Sequence, residues 1–275
     1  VERIKRGFRL LGASWDVLKA DRELLVLPLL SFIGVVLVSL SIAGIGWGAG
    51  SFDAAAGEVR NGPLEWALTA VFYFLTYFIV IFFNAAVVAA ATIRLKGGDP
   101  TVKDGLREAG KHLGKIAGWA LIAATVGMIL RAVAERSGFL GRIVIAIVGA
   151  AWGAITFFVV PVLIYEPLGV TASIKRSAGI FKERWGEQFV GSASIGLAMF
   201  LISLPVIAIA VAIGAVAPII GIAFGVLAIA GLSAVGAAMS GIFNAALYQY
   251  ATSGQALGAF SEQDLTGSFV PKGRG

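Results

Sequence analysis

No cysteine occurs anywhere in the chain, and there is a single histidine, His112. The missing thiols exclude disulfides, thiolate metal centres and cysteine nucleophiles, and they leave the redox compartment undetermined. One histidine without a cluster of ligating partners supplies neither a metal-ligand set nor a nucleophile–base pair. Charge is scarce too. Only 14% of the 275 residues are Asp, Glu, Lys or Arg, against about 25% in an average globular chain. No Asp, Glu or Lys falls near the middle of a long apolar run, so the group that proton-coupled carriers and pumps generally use is missing. The 36 glycines are scattered through apolar sequence and form neither a linker nor a phosphate loop. From these absences we expect no cofactor, no metal and no enzymatic activity.

What is abundant is hydrophobic sequence: 58% of residues, with a mean hydropathy of +0.90. Six apolar-rich runs cover about 24–48, 64–93, 116–133, 143–165, 189–213 and 219–250. Each has at least 18 residues, enough to cross about 30 Å of hydrocarbon as a helix. A signal-peptide core spans only about 7–15 apolar residues, so the first run is expected to be a retained span. The fold class is all-α, a polytopic membrane protein with one membrane domain over 1–250 and a polar cytoplasmic tail over 251–275.

Three basic amphipathic stretches precede pairs of these runs. Residues 101–118 place Val102, Leu106, Ala109, Leu113 and Ile116 at helical spacing, with Lys103, Arg107 and Lys111 elsewhere on the surface. Residues 2–20 repeat the pattern with Ile4, Phe8, Leu11, Trp15 and Leu18 beside Arg6 and Arg9. Val170, Ile174, Ala178, Phe181 and Trp185 do so again, beside Lys175 and Lys182. Such helices lie in a membrane interface, and their charges point to anionic headgroups rather than nucleic acid. Of the 22 basic residues, 18 fall on the side that carries both termini and 4 on the other. The positive-inside rule then puts both termini in the cytoplasm of a multi-pass plasma-membrane protein.

This order reads as three parallel repeats over about 1–93, 94–168 and 169–250, each an interfacial amphipathic helix plus a helical hairpin. Phe83-Asn84-Ala85-Ala86 recurs as Phe243-Asn244-Ala245-Ala246, and Ala91-Thr92 as Ala251-Thr252. The middle unit has Phe158-Val159-Val160-Pro161 instead.

Uncharged polar residues collect on two helices. Thr69, Tyr73, Thr76, Tyr77 and Asn84 share an arc of the second; Ser233, Gly236, Ser240, Asn244 and Tyr248 share a face of the sixth. Hydrogen bonding between helices is the expected role, and a polar path lined by Asn84, Asn244, Tyr73, Tyr77 and Ser240 is the alternative. Arg131, near the end of its run, is expected to snorkel to the interface.

The segment Arg6-Gly-Phe-Arg-Leu-Leu-Gly-Ala-Ser-Trp15 and the segment Asp21-Arg-Glu-Leu-Leu-Val-Leu-Pro-Leu-Leu30 resemble the start of a family of uncharacterised prokaryotic integral membrane proteins. So do Val160-Pro161, Ser173-Ile-Lys-Arg-Ser177 with Trp185-Gly186, and Ala246-Leu-Tyr-Gln-Tyr250. The resemblance implies a six-helix domain, no assigned activity and no functional residues. The expected function is therefore structural or accessory, with a protein partner or homo-oligomer in the membrane. A channel or facilitator for a small solute, with its polar path between helices two and six, is the alternative.

Overall fold

The computed structural model describes residues 2–53, 58–59, 62–184 and 190–261. The side chain of Arg6, residue Trp185 and the tail from 262 lie outside the described residues. The described chain is almost entirely helical. Six of its helical segments are long and apolar enough to cross a membrane, which makes this a multi-pass membrane protein.

Helix α1 covers Glu2–Ala20. A 3₁₀ turn, Arg22–Leu25, is capped by Asp21, whose Oδ1 accepts from the Glu23 amide at 3.2 Å. Helix α2, Val26–Gly48, leads out to a two-residue antiparallel ladder, β1 (Phe52–Asp53) with β2 (Glu58–Val59). Helix α3, Pro63–Leu95, starts with proline in its first turn and stops at Lys96 and Gly97, the latter at φ +87°. Its 33 residues extend about 50 Å, well beyond one hydrocarbon thickness.

The expected central helix over 101–118 is in fact two. Helix α4, Val102–Gly110, opens with a capping box between Thr101 and Asp104. After Lys111 and His112 the chain turns, and Leu113 and Ile116 belong to the next span, α5, Leu113–Arg136. Lys115, the fourth basic residue of the 101–118 stretch, goes with them. Its Nζ donates to the carbonyls of Leu163 and Glu166 at 3.4 and 3.3 Å. The fourth run is also divided, into α6 (Phe139–Thr156) and α7 (Val159–Tyr165). Helix α8 is Val170–Arg184, α9 is Val190–Val216 with Pro205 inside it, and α10 is Pro218–Ser253. Helix α10 therefore extends past residue 250, and Phe260 beyond it is buried.

The apolar faces of the three short helices do meet the core, with Leu11, Val102, Leu106, Val170, Ile174 and Phe181 packed against it while only partly buried; the residues buried most deeply are largely others. Helix α1 buries Leu10, Ser14, Val17 and Leu18, while Phe8 and Trp15 stay exposed. Helix α4 buries Gly105 and Ala109. Helix α8 buries Ser173, Ser177 and Ile180. The physical reason is approach distance. A Cβ added at Gly105 would lie 2.7 Å from the Ala86 carbonyl oxygen of α3, so only a residue without a side chain permits that contact. The buried serines satisfy themselves: Ser14 donates to the Leu10 carbonyl and Ser173 to that of Gly169, each at 3.0 Å.

The core sits in the half of the protein nearest these short helices. Burial in α3 is unbroken from Ala85 to Thr92. All of Val159–Ile164 in α7 is buried, as is Gly241–Tyr248 in α10. Toward the opposite face the helices separate and their apolar side chains are exposed, as surfaces facing acyl chains would be.

Candidate functional site

The polar residues singled out from sequence do not form one path. They fall into three places, set by where the helices touch.

The first is the break between α6 and α7. Pro161 has no amide hydrogen, so the Phe157 carbonyl, its would-be helical acceptor, is left without a partner in the helix. Asn244 of α10 fills that role, donating from Nδ2 to the Phe157 oxygen at 2.8 Å. Ser177 of α8 serves the rest of the break. Its hydroxyl donates to the Ile155 carbonyl at 2.6 Å and accepts from the Phe158 amide at 3.0 Å. Two side chains from two other elements thus replace hydrogen bonds that hydrocarbon cannot supply. Phe157 and Phe243 meet edge-on at 6.5 Å beside them. Sequence inspection noted that the middle unit lacks the Asn of the other two. It did not reveal that Asn244 serves the helix break there.

The second place is the surface of α3 and α10 near mid-depth. Asn84 is exposed, and so is Ser240. A Cβ added at Gly241 would lie 2.5 Å from Val87 Cγ1 and 3.9 Å from Asn84 Oδ1, so this is where the two helices cross. No hydrogen bond joins Asn84 or Ser240 to another described residue. The two equivalent asparagines therefore have different surroundings: Asn244 is 8% exposed and hydrogen-bonded, whereas Asn84 lies open.

The third place is a cavity of about 990 Å³ at the face opposite the termini, bounded by the ends of α2, α3 and α5. Tyr73 and Thr69 line it, with Arg131 and Glu135 from α5. Arg131 does not simply reach for the interface. Its Nη1 donates to the Tyr73 hydroxyl at 2.8 Å and its Nε to Glu135 Oε1 at 2.7 Å, tying α5 to α3. Tyr77 stacks against Tyr73 at a centroid distance of 6.4 Å. Its hydroxyl lies over Gly127 of α5, where an added Cβ would come within 2.5 Å. Sequence reasoning found both tyrosines and missed their link to Arg131. Helical phase cannot show which neighbouring helix a residue faces.

Residues 64–258 match the family of unknown function DUF6159. The chain belongs to that family. None of the curated proteins and none of the solved structures matches it.

The terminal face of this DUF6159 protein carries the basic residues. Arg9, Lys103, Arg107, Lys111, Lys175 and Lys182 are all exposed. A smaller recess of about 430 Å³ between α3 and α4 is lined by Lys96, Arg107 and Lys111 together with Asp104 and Glu108. Asp104 has its pKa lowered, first by the hydrogen bond from the Thr101 side chain and then by that from the Thr101 amide. Beside the recess, Glu166 Oε1 accepts from the Tyr248 hydroxyl at 3.0 Å and from Arg176 Nε at 3.2 Å. Asp21 is buried here. Its Oδ2 has no hydrogen-bond partner among the described residues. Burial raises its pKa, against the lowering effects of the Glu23 amide and Arg94. Among the described residues no group of three or more His, Cys, Asp or Glu could hold a metal ion.

Proposed function

We propose that this protein is a non-enzymatic structural or accessory component of a prokaryotic plasma membrane, which packs against a membrane partner or a second copy of itself. The observation that carries the reading is the open pair Asn84 and Ser240. Asn84 sits about 15 Å along α3 from Arg94, near the middle of the bilayer. An amide in hydrocarbon without a hydrogen bond costs several kcal/mol. A polar group or a close backbone on an adjoining helix from another chain removes that cost. The packed half of the molecule argues against a standing conduit. Phe158, Phe243, Ile242 and Leu27 are each no more than 1% exposed.

In this reading both termini are cytoplasmic, in keeping with the 18-to-4 basic asymmetry. Arg9, Lys103, Arg107, Lys111, Lys175 and Lys182 meet anionic headgroups, each contributing about 1 kcal/mol. The three-unit repeat is supported by the order of elements, in which α1, α4 and α8 each precede a pair of spans.

The test is native mass spectrometry of the protein extracted in gentle detergent, wild type beside Asn84→Leu and Ser240→Leu. The wild type should carry a constant partner or a second copy, and the variants should lose it while their melting temperatures hold. A wild type that is monomeric and free of other protein in native membranes overturns the reading. Lost solute flux in proteoliposomes with assembly intact would move the assignment to a channel.

A further inference from the structure

The recess between α3 and α4 on the terminal face has a volume of about 430 Å³, within the roughly 300–1,000 Å³ of ligand sites. Helix α3 stops at Leu95, and Lys96 stands just past that stop, at the rim. Ile93 and Ala89 line the recess further along the same helix. Ala89 lies about 10 Å from Lys96 along the helix axis, toward the hydrocarbon. The recess therefore has a cationic mouth and an apolar floor. Tyr165 of α7 forms part of the wall and is held by stacking on Tyr248 at 5.9 Å.

Lys96, Arg107 and Lys111 line the recess together with Asp104 and Glu108. Both carboxylates are engaged. Asp104 Oδ1 lies 3.7 Å from Arg107 Nη1, and Asp104 Oδ2 accepts from the Thr101 amide at 3.0 Å and the Thr101 hydroxyl at 2.6 Å. Glu108 Oε2 accepts from Lys111 Nζ at 2.6 Å, and its Oε1 lies 3.7 Å from His112 Nε2. The ammonium of Lys96 has neither an ion pair nor a hydrogen bond among the described residues. All three cations are exposed. One positive charge is thus left over, with further N–H donors on Arg107 and Lys111, whose side chains the carboxylates hold in place. A phosphate group has enough acceptor oxygens to meet all three cations at once. The apolar floor suits a phosphate that carries an acyl chain, and basic pockets beside spans on the cytoplasmic side are where acidic headgroups bind.

We infer that this recess binds one acidic phospholipid from the leaflet on the terminal side, its phosphate among Lys96, Arg107 and Lys111 and the start of an acyl chain over Ile93 and Ala89. The inference rests on the headgroup contacts proposed above and turns part of that diffuse attraction into a site; it does not depend on the accessory role.

The full-length protein is reconstituted in nanodiscs containing equal amounts of phosphatidylglycerol and phosphatidylcholine, then released for native mass spectrometry of the lipid it keeps. Melting temperatures are measured beside each variant to show that it is folded. The wild type retains phosphatidylglycerol in preference to phosphatidylcholine. Lys96→Gln lowers that retention roughly tenfold, the scale of one charge-assisted contact, and Lys96→Arg restores it. Lys175→Gln removes the same charge from α8, outside the recess, and leaves retention unchanged. Ile93→Trp fills the floor without altering a charge and also lowers retention. Inorganic phosphate displaces no more lipid than chloride does at equal ionic strength. Equal losses in Lys96→Gln and Lys175→Gln overturn the site while the diffuse headgroup contacts stand; no preference for phosphatidylglycerol in the wild type overturns both. Unchanged retention in Lys96→Gln or in Ile93→Trp, or displacement by inorganic phosphate, likewise overturns the assignment to a lipid.

Discussion

At the scale of single residues, contacts between backbones decide more than contacts between large side chains. Gly105 rests on the Ala86 carbonyl and Gly241 on Val87. Gly105→Ala should destabilise the fold by about 1–3 kcal/mol, the usual cost of overpacking. Thermal unfolding in detergent, wild type against variant, measures it, and no loss of stability would show that α4 can slide off α3. Asp21 gives a test of the opposite sign. Burial raises its pKa in the folded state, so between the usual carboxylate range and that raised value the folded chain binds more protons than the unfolded one. Stability from this group is then present at acid pH and lost as pH rises through the folded pKa. Asp21→Asn keeps an oxygen for the Glu23 amide and removes the buried charge. The variant should be at least as stable as wild type at pH 7, and this advantage should shrink as the pH is lowered through the carboxylate range. Melting curves at several pH values check it; a variant less stable at neutral pH would mean that the Asp21 charge is used, with Arg94 the nearest cation acting on it.

At the scale of elements, the division of α6 from α7 shows how a broken helix is kept inside a membrane. Pro161 removes a bond, and Asn244 replaces it from 87 residues away. Loss of Asn244 leaves the Phe157 carbonyl bare. Asn244→Leu should cost about 0.6–1.7 kcal/mol, the range measured for hydrogen bonds between membrane helices. Pro161→Ala restores an amide hydrogen that can serve the same carbonyl. In that background Asn244→Leu should cost measurably less, so the double-mutant cycle has a non-zero coupling. Additive effects would mean that the Asn244 bond and the proline are unrelated. The six spans were legible from hydropathy, with ends within a few residues of those observed except at this break. It was hidden because the proline and its compensating partner belong to different parts of the sequence. The buried serines of α1 and α8 were not singled out for a related reason. Helical phase finds the stripe of large apolar residues, whereas Ser14, Ser173 and Ser177 are chosen by close approach.

For the whole molecule, the main asymmetry is between the packed half beside α1, α4 and α8 and the separated helix ends opposite them. The topology we propose assigns the first to the cytoplasm. Because the chain has no cysteine, single introduced cysteines report it cleanly. Lys103→Cys should react with a membrane-impermeant maleimide only after the cytoplasmic side is opened. Gly138→Cys, in the turn between α5 and α6, should react in intact cells. The reverse pattern would invert the protein.

Composition and charge placement by themselves determined that this is an all-helical membrane protein with six spans. Lipid has no water to satisfy a backbone, so long apolar runs have few structural choices. The candidate polar residues were likewise visible as exceptions in apolar sequence. Their partners were decided only by tertiary structure. Asn84 and Asn244 sit in near-identical sequence, yet one is open to the surroundings and the other is bonded to a carbonyl. The difference lies in what stands opposite each: Asn244 meets the helix break created by Pro161, and Asn84 meets no described hydrogen-bonding group. Arg131 and Tyr73 are likewise 58 residues apart in sequence. Helix α5 brings them to hydrogen-bonding distance because Gly127 leaves room for the Tyr77 hydroxyl at the crossing.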